Sequence, residues 1–194
     1  GSGGMGSWTN RVRLSIQGEA RWITCPLQRM ALGSPISAAR IDDRQPWRSK
    51  LIKTLEANYR KATHYSQAME LLAPLILAPH DALAELNIAA IQTIASKLGV
   101  TTRFLRQSNL TYTGQSTVLL ASLVSAAGGD TYLAGGGAGG YQDDEIFAAH
   151  NLKLVYQDFA PRPYGDEARF IAGLSVIDYL MHDGRSLEER TEAA

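Results

Sequence analysis

Polar and apolar side chains alternate strictly from Asn10 to Ile16, with Val12, Leu14 and Ile16 on one side and Arg11, Arg13 and Ser15 on the other. This is the two-residue period of a half-buried strand. Gln17-Gly18 supplies turn chemistry, and Arg21 to Cys25 resumes β-favouring residues before Pro26. The segment is therefore predicted to be a hairpin. Its register decides which faces meet. A loop of about two or four residues sets Ile23 and Cys25 beside Val12 and Leu14, and Trp22 and Thr24 beside Arg11 and Arg13; an odd-length loop scrambles this arrangement.

Gln28 to Ser37 is rich in Gly, Pro and Ser and reads as a loop. Three helices are predicted after it. Trp47, Leu51, Leu55, Ala57 and Tyr59 form a roughly helical stripe that starts near Pro46, a residue tolerated in the first turn. His64 to Leu77 makes the second, with Pro74 as a kink or early end. The third has Asp81 as candidate N-cap and Glu85 in its first turns, then Leu83, Leu86, Ile91, Ile94 and Leu98 before Gly99 stops it.

The second half changes rhythm. Thr101 to Leu105 reads as a strand, Ser116 to Ala127 as a helix, Thr131 to Ala134 as a strand, Gln142 to His150 as a helix, and Leu152 to Phe159 as a strand. Leu174 to Met181 is predicted to be a last helix ending at Gly184. Alternating β and α segments imply parallel strands joined by crossovers. The expected fold class is α/β: a largely parallel sheet with flanking helices, preceded by the hairpin and the three-helix segment.

The 194 residues are 45% hydrophobic, enough for one sizeable core, so a single domain over residues 5–186 is expected. Gly1 to Gly4 reads as a cloning scar before Met5, and residues 187–194 as a frayed tail. Nineteen basic and nineteen acidic residues leave no net charge, which argues against nucleic acid or an anionic membrane as partner. A small-molecule or carrier-protein-bound substrate is the better expectation. The single cysteine, Cys25, cannot close an internal disulfide, which favours a reducing, cytoplasmic setting. No Cys/His cluster has zinc spacing, so neither metal nor cofactor is expected. The apolar run from Val118 to Ala127 is far shorter than the ~20 residues of a membrane span.

Several side chains could carry chemistry. Arg11 and Arg13 share a predicted face with Trp22 and Thr24. Two guanidinium forks beside an indole could grip a phosphate or carboxylate; a solvated sheet face with Trp22 under a helix is the alternative. The run Gly135 to Gly140 follows a strand and precedes a helix, but Asp143, Asp144 and Glu145 follow at once, and carboxylates at that helix start repel a pyrophosphate. A loop that lets the backbone approach a substrate, with Gly136, Gly137, Gly139 and Tyr141 as contacts, competes with a permissive connector. Cys25 could serve as a nucleophile only if its pKa fell from ~8.5, and its apolar face favours an inert thiol. His150 and His182 are expected as dipole partners at helix ends. Ser175 could cap the last helix and shares a face with Asp178 at i,i+3 spacing.

Taken together, Ser7-Trp8-Thr9-Asn10-Arg11-Val12-Arg13-Leu14 and Arg21-Trp22-Ile23-Thr24-Cys25-Pro26-Leu27 resemble the central hairpin of WbqC-like proteins. The likeness continues through Trp47-Arg48, Tyr59, Leu86-Asn87, Thr131-Tyr132-Leu133-Ala134-Gly135, Tyr141, Phe147 and Phe170. It closes on Leu174-Ser175-Val176-Ile177-Asp178 and Gly184. The resemblance implies a bacterial setting in O-antigen or natural-product biosynthesis, and an enzyme that handles acyl or aminoacyl groups. It adds Asn10 and Ser175 to the substrate contacts and makes Asp178 the preferred buried polar anchor or general base. The family's N-terminal strand and helix, with their His-x-Pro motif, have no counterpart before the hairpin, and Tyr164-Gly165-Asp166 stands where a Tyr-x-Gln pattern is usual. Two functional classes follow. One is an enzyme forming an amide or processing a carrier-bound thioester. The other is a non-catalytic module that engages a carrier or partner protein. In either case an open hairpin edge is expected to pair with a partner strand or a second copy of the chain.

Overall fold

The computed structural model describes residues 9–31, 33–135 and 143–192. The chain forms two compact units, one of residues 1–101 with 162–194 and one of residues 102–161.

The first unit opens with β1 (Arg11–Ile16) and β2 (Glu19–Thr24), an antiparallel hairpin in which Arg11 faces Thr24, Val12 faces Ile23 and Arg13 faces Trp22. This is the register of the two-residue loop. Gln17 and Gly18 both adopt positive φ, 54° and 79°, which matches the twist of the flanking strands. Leu14 then points from β1 into the core and is fully buried.

The three predicted helices follow as α1 (Trp47–Tyr59), α2 (Tyr65–Leu77) and α3 (Leu83–Lys97). Four-residue spacing puts Leu55 and Tyr59 of α1, and Ala68, Leu72 and Ile76 of α2, on single buried faces. Pro74 sits inside α2, which continues only to Leu77. No side chain caps α3, whose N-cap position is Ala82 rather than Asp81. These helices, with Leu14, Leu98, Leu180 and Met181, form the main core. A smaller cluster of Ala39, Ile41 and Leu83 packs with Cys25 and Trp47.

The unit closes with α6 (Val176–His182) and α7 (Leu187–Glu192). Ser175 caps α6 as expected, its Oγ accepting from the Ile177 amide at 3.3 Å. The segment expected to fray from residue 187 is helical through Glu192. Its start is tied by the Leu187 amide donating to Leu98 O at 3.0 Å, and the Ser186 and Glu189 side chains cap it reciprocally.

The second unit contains α4 (Ser116–Ala126), β3 (Thr131–Ala134), α5 (Asp144–Ala149) and β4 (Lys153–Tyr156). Asp143 caps α5 through the Glu145 and Ile146 amides. β3 and β4 are parallel, with Thr131 opposite Lys153, and α5 is the crossover that parallel pairing requires. Phe147 and Ala121 are fully buried here, and Tyr132 stacks on Phe147 with ring centroids 5.1 Å apart.

The expectation of a largely parallel sheet is corrected by this topology. Among the described residues there are two separate two-stranded sheets, one antiparallel and one parallel. Thr101 to Leu105 is exposed and has no ladder partner among the described residues; β-favouring composition does not make a strand without a neighbour to pair with.

Candidate functional site

Asp178 lies in the first turn of α6 and is only 5% exposed. A buried carboxylate demands hydrogen-bond donors, and two tyrosines supply them. Tyr59 Oη donates to Asp178 Oδ1 at 2.8 Å, and Tyr164 Oη donates to Oδ2 at 2.9 Å. Tyr59 Oη in turn accepts the Ser15 amide of β1 at 2.8 Å. The hairpin, α1 and α6 therefore meet on one chain of polar atoms. Burial, then the charge and hydrogen bond of Asp178, push both phenols well above the ordinary tyrosine range, so both remain proton donors at neutral pH.

His182 completes the cluster. One turn beyond Asp178 on α6, its Nε2 stands 4.0 Å from Asp178 Oδ1, and its side chain is 42% exposed. At that distance the contact is an ion pair when the imidazole is protonated and too long for a direct hydrogen bond. The Tyr59 ring lies 5.8 Å from the imidazole. Gly165, at φ +65°, backs onto His182 so closely that a Cβ there would stand 3.0 Å from the histidine Cβ. The arrangement is a buried carboxylate, held by two neutral donors, beside an imidazole that reaches solvent.

The hairpin face is built differently. Arg11 lies over Trp22 with its guanidinium carbon 4.1 Å from the ring centroid, and its Nε is buried with no hydrogen-bond partner among the described residues. Arg13 is 5.8 Å from the same ring, but its donors are engaged: Nε and Nη2 reach Gly173 O at 3.3 and 3.1 Å, and Nη2 reaches Ala172 O at 3.3 Å. Gly173, at φ +74°, has no room for a Cβ against this guanidinium. Trp22 is 42% exposed, and Thr24 is exposed opposite Arg11. Asn10 closes the open end of the hairpin, donating from Nδ2 to Cys25 O at 3.1 Å. The four loop candidates Gly136, Gly137, Gly139 and Tyr141 lie outside the described residues.

Ser175 links the two groups, since its amide donates to Arg13 O at 2.8 Å while its side chain caps α6. The outer edge of β1 is thereby covered by Ser175, by Tyr59 Oη on Ser15 N, and by Asn58 Oδ1 on Gln17 N at 3.1 Å. Two backbone groups of that edge, Arg13 O and Ser15 N, are thus met within the chain.

Cys25 is half-buried, and burial pushes its thiol up to about 11 despite the opposing charge of Arg48. A thiolate nucleophile at neutral pH is disfavoured there. Arg48 itself is a structural hub, bonding Asp43, Ile76 O and His80 O. Among the described residues no group of three or more His, Cys, Asp or Glu side chains is placed to hold a metal ion, and no helix is long and apolar enough to cross a membrane.

The sequence marks Asp178 and Ser175 as candidates, but not the placement of His182 beside Asp178. Its i,i+4 spacing from Asp178 was the available signal; reading it as a helix-end dipole partner hid that pairing. The family likeness includes Tyr59 and Tyr164, but nothing local shows that both meet Asp178, since Tyr59 does so across 119 positions.

Fold and site define a mixed α/β protein organised around a carboxylate, two tyrosines and a histidine. The model of the WbqC-like protein family matches residues 5–189, and the chain belongs to that family. A similar chain is the uncharacterized protein Rv1507c of Mycobacterium tuberculosis (strain ATCC 25618 / H37Rv), 28% identical over 182 residues, covering 91% of this chain and 78% of the relative. No solved structure matches.

Proposed function

We propose that this protein is a cytoplasmic biosynthetic enzyme that handles an acyl or aminoacyl group, transferring it from a thioester to an amine in surface-sugar or natural-product assembly. The observation that carries the reading is the pairing of buried Asp178 with solvent-reaching His182. In this mechanism His182 takes a proton from the attacking amine as the C–N bond forms. The C–S bond then breaks, and the departing thiolate receives that proton. Asp178 stabilises the imidazolium in between, once binding shortens the 4.0 Å separation. Tyr59 and Tyr164 fix the carboxylate and keep it from swinging away.

The test is to incubate the chain with acyl- and aminoacyl-pantetheine thioesters and an amino sugar, following thiol release and product mass. Amide product formed in proportion to released thiol supports the reading. Absence of both across a panel of thioesters contradicts it. A second reading, a non-catalytic module that engages a carrier protein, is favoured by one observation: Arg13 is engaged by Ala172 and Gly173 beside a 42% exposed Trp22, a face suited to contact rather than catalysis. Saturable carrier-protein binding without turnover would select it.

A further inference from the structure

The strap from Arg162 to Ser175, which carries Tyr164, is held near both ends by guanidinium groups. Arg13 binds the carbonyls of Ala172 and Gly173 at its far end. At its near end Arg190 of α7 donates from Nη2 to Arg162 O at 3.0 Å and to Pro163 O at 2.9 Å. The other arm of Arg190 meets Asp183 Oδ2 at 3.3 Å. Its guanidinium carbon lies 5.8 and 5.3 Å from the ring centroids of Tyr164 and Tyr179.

Between these anchors the backbone bonds of the strap are local. Asp166 accepts from the Ala168 amide, and the Arg169 and Phe170 amides donate within the same turn. Asp166 to Arg169 are exposed. Tyr164 is the strap's inward contact with Asp178, packed edge-on against Phe170 and Tyr179 with centroids 5.1 and 5.2 Å apart. A planar fork can satisfy two carbonyls and a carboxylate together, which an ammonium on a flexible stem cannot do in one geometry.

We infer that Arg190 is a positioning residue for the Asp178 centre: by tying the start of the strap to α7 it holds Tyr164 against Asp178 and Gly165 against His182. The inference rests on reading Asp178 and His182 as the reacting pair. It assigns α7 a role in the site without touching substrate.

Hydrogen exchange followed by mass spectrometry tests it directly. In Arg190→Ala the amides of Ala168, Arg169 and Phe170 exchange about fivefold faster or more, while those of α1 keep their rates. Arg190→Lys keeps the charge beside Asp183 and gives an intermediate acceleration. Arg185→Ala, which removes the other guanidinium on Asp183 without touching the strap, leaves strap exchange unchanged. In the thioester assay Arg190→Ala lowers kcat about tenfold with KM within about twofold. Unchanged strap exchange in Arg190→Ala overturns the inference, as does equal acceleration in Arg185→Ala. Should Arg190→Ala also speed exchange in α1, Arg190→Lys decides: acceleration confined to the strap supports the inference and unchanged exchange overturns it. A wild-type chain with no thioester turnover counts against the proposed function, while the exchange result still decides the role of Arg190.

Discussion

The oxygen of Tyr59 accepts the Ser15 amide and donates to Asp178, so one buried atom ties the hairpin to α6. Tyr59→Phe keeps the ring packing but leaves a partly buried amide and one buried carboxylate oxygen without this hydroxyl partner. The expected cost is about 1–3 kcal/mol of stability, read from denaturant melts. A Tyr59→Phe protein as stable as wild type would show that water replaces the hydroxyl at no cost. Cys25 illustrates the opposite case, a reactive residue type in an unreactive place. With its thiol pushed up to about 11, only a minute thiolate fraction exists at pH 7. Iodoacetamide should therefore label the folded chain far more slowly than the unfolded one, and Cys25→Ser should retain turnover. Fast labelling at neutral pH, or loss of turnover in a folded Cys25→Ser protein, would move the thiol into the mechanism.

At the scale of elements, local pattern was a sound guide wherever local forces decide the outcome. Strict alternation and a two-residue turn set the hairpin register, and four-residue spacing placed the buried faces of α1 and α2. Sheet extent was not legible, because pairing partners are distant in sequence and the chain before and after a β-favouring run does not name its neighbour. Thr101 to Leu105 has the composition of a strand and no strand partner among the described residues. The C-terminal helix α7 was hidden for a similar reason: its charged residues look like a solvated tail until Asp183 is placed beside them. Asp183 bonds Arg185 at 2.6 Å and Arg190 at 3.3 Å. The Arg185 hydrogen bond, opposed by burial, holds its carboxyl below the ordinary carboxylate range. A folded-state pKa below the unfolded value of ~3.9 stabilises the fold above that pH and loses the contribution as pH falls through the lower folded value. Melting temperature should thus drop on acidification below about pH 4, and Asp183→Asn should flatten that acid limb while lowering stability at pH 7. An unchanged acid limb in Asp183→Asn would place the sensitivity elsewhere, with Asp43 beside Arg48 the next carboxylate held low in the same way.

Across the whole molecule, the residues that matter for the proposed chemistry come from both ends of the first unit. β1 and α1 supply Ser15 and Tyr59; the strap and α6 supply Tyr164, Asp178 and His182. Asp178 and Ser175 are legible as neighbours because they sit together on the start of one helix within a recognisable segment. The carbonyls of Ala172 and Gly173 on Arg13 were not legible, since an alternating strand shows which face an arginine occupies and not what distant backbone meets it there. Under the proposed function the Asp178 and His182 pair performs proton transfer in acyl transfer. This is tested most directly by comparing wild type with His182→Gln in the thioester assay, with melting temperature recorded for both. His182 is a partly exposed side chain, so the substitution should leave stability within about half a kcal/mol. The expected result is a fall in kcat of about a hundredfold or more with the fold intact. Turnover by a folded His182→Gln protein at the wild-type rate would contradict it.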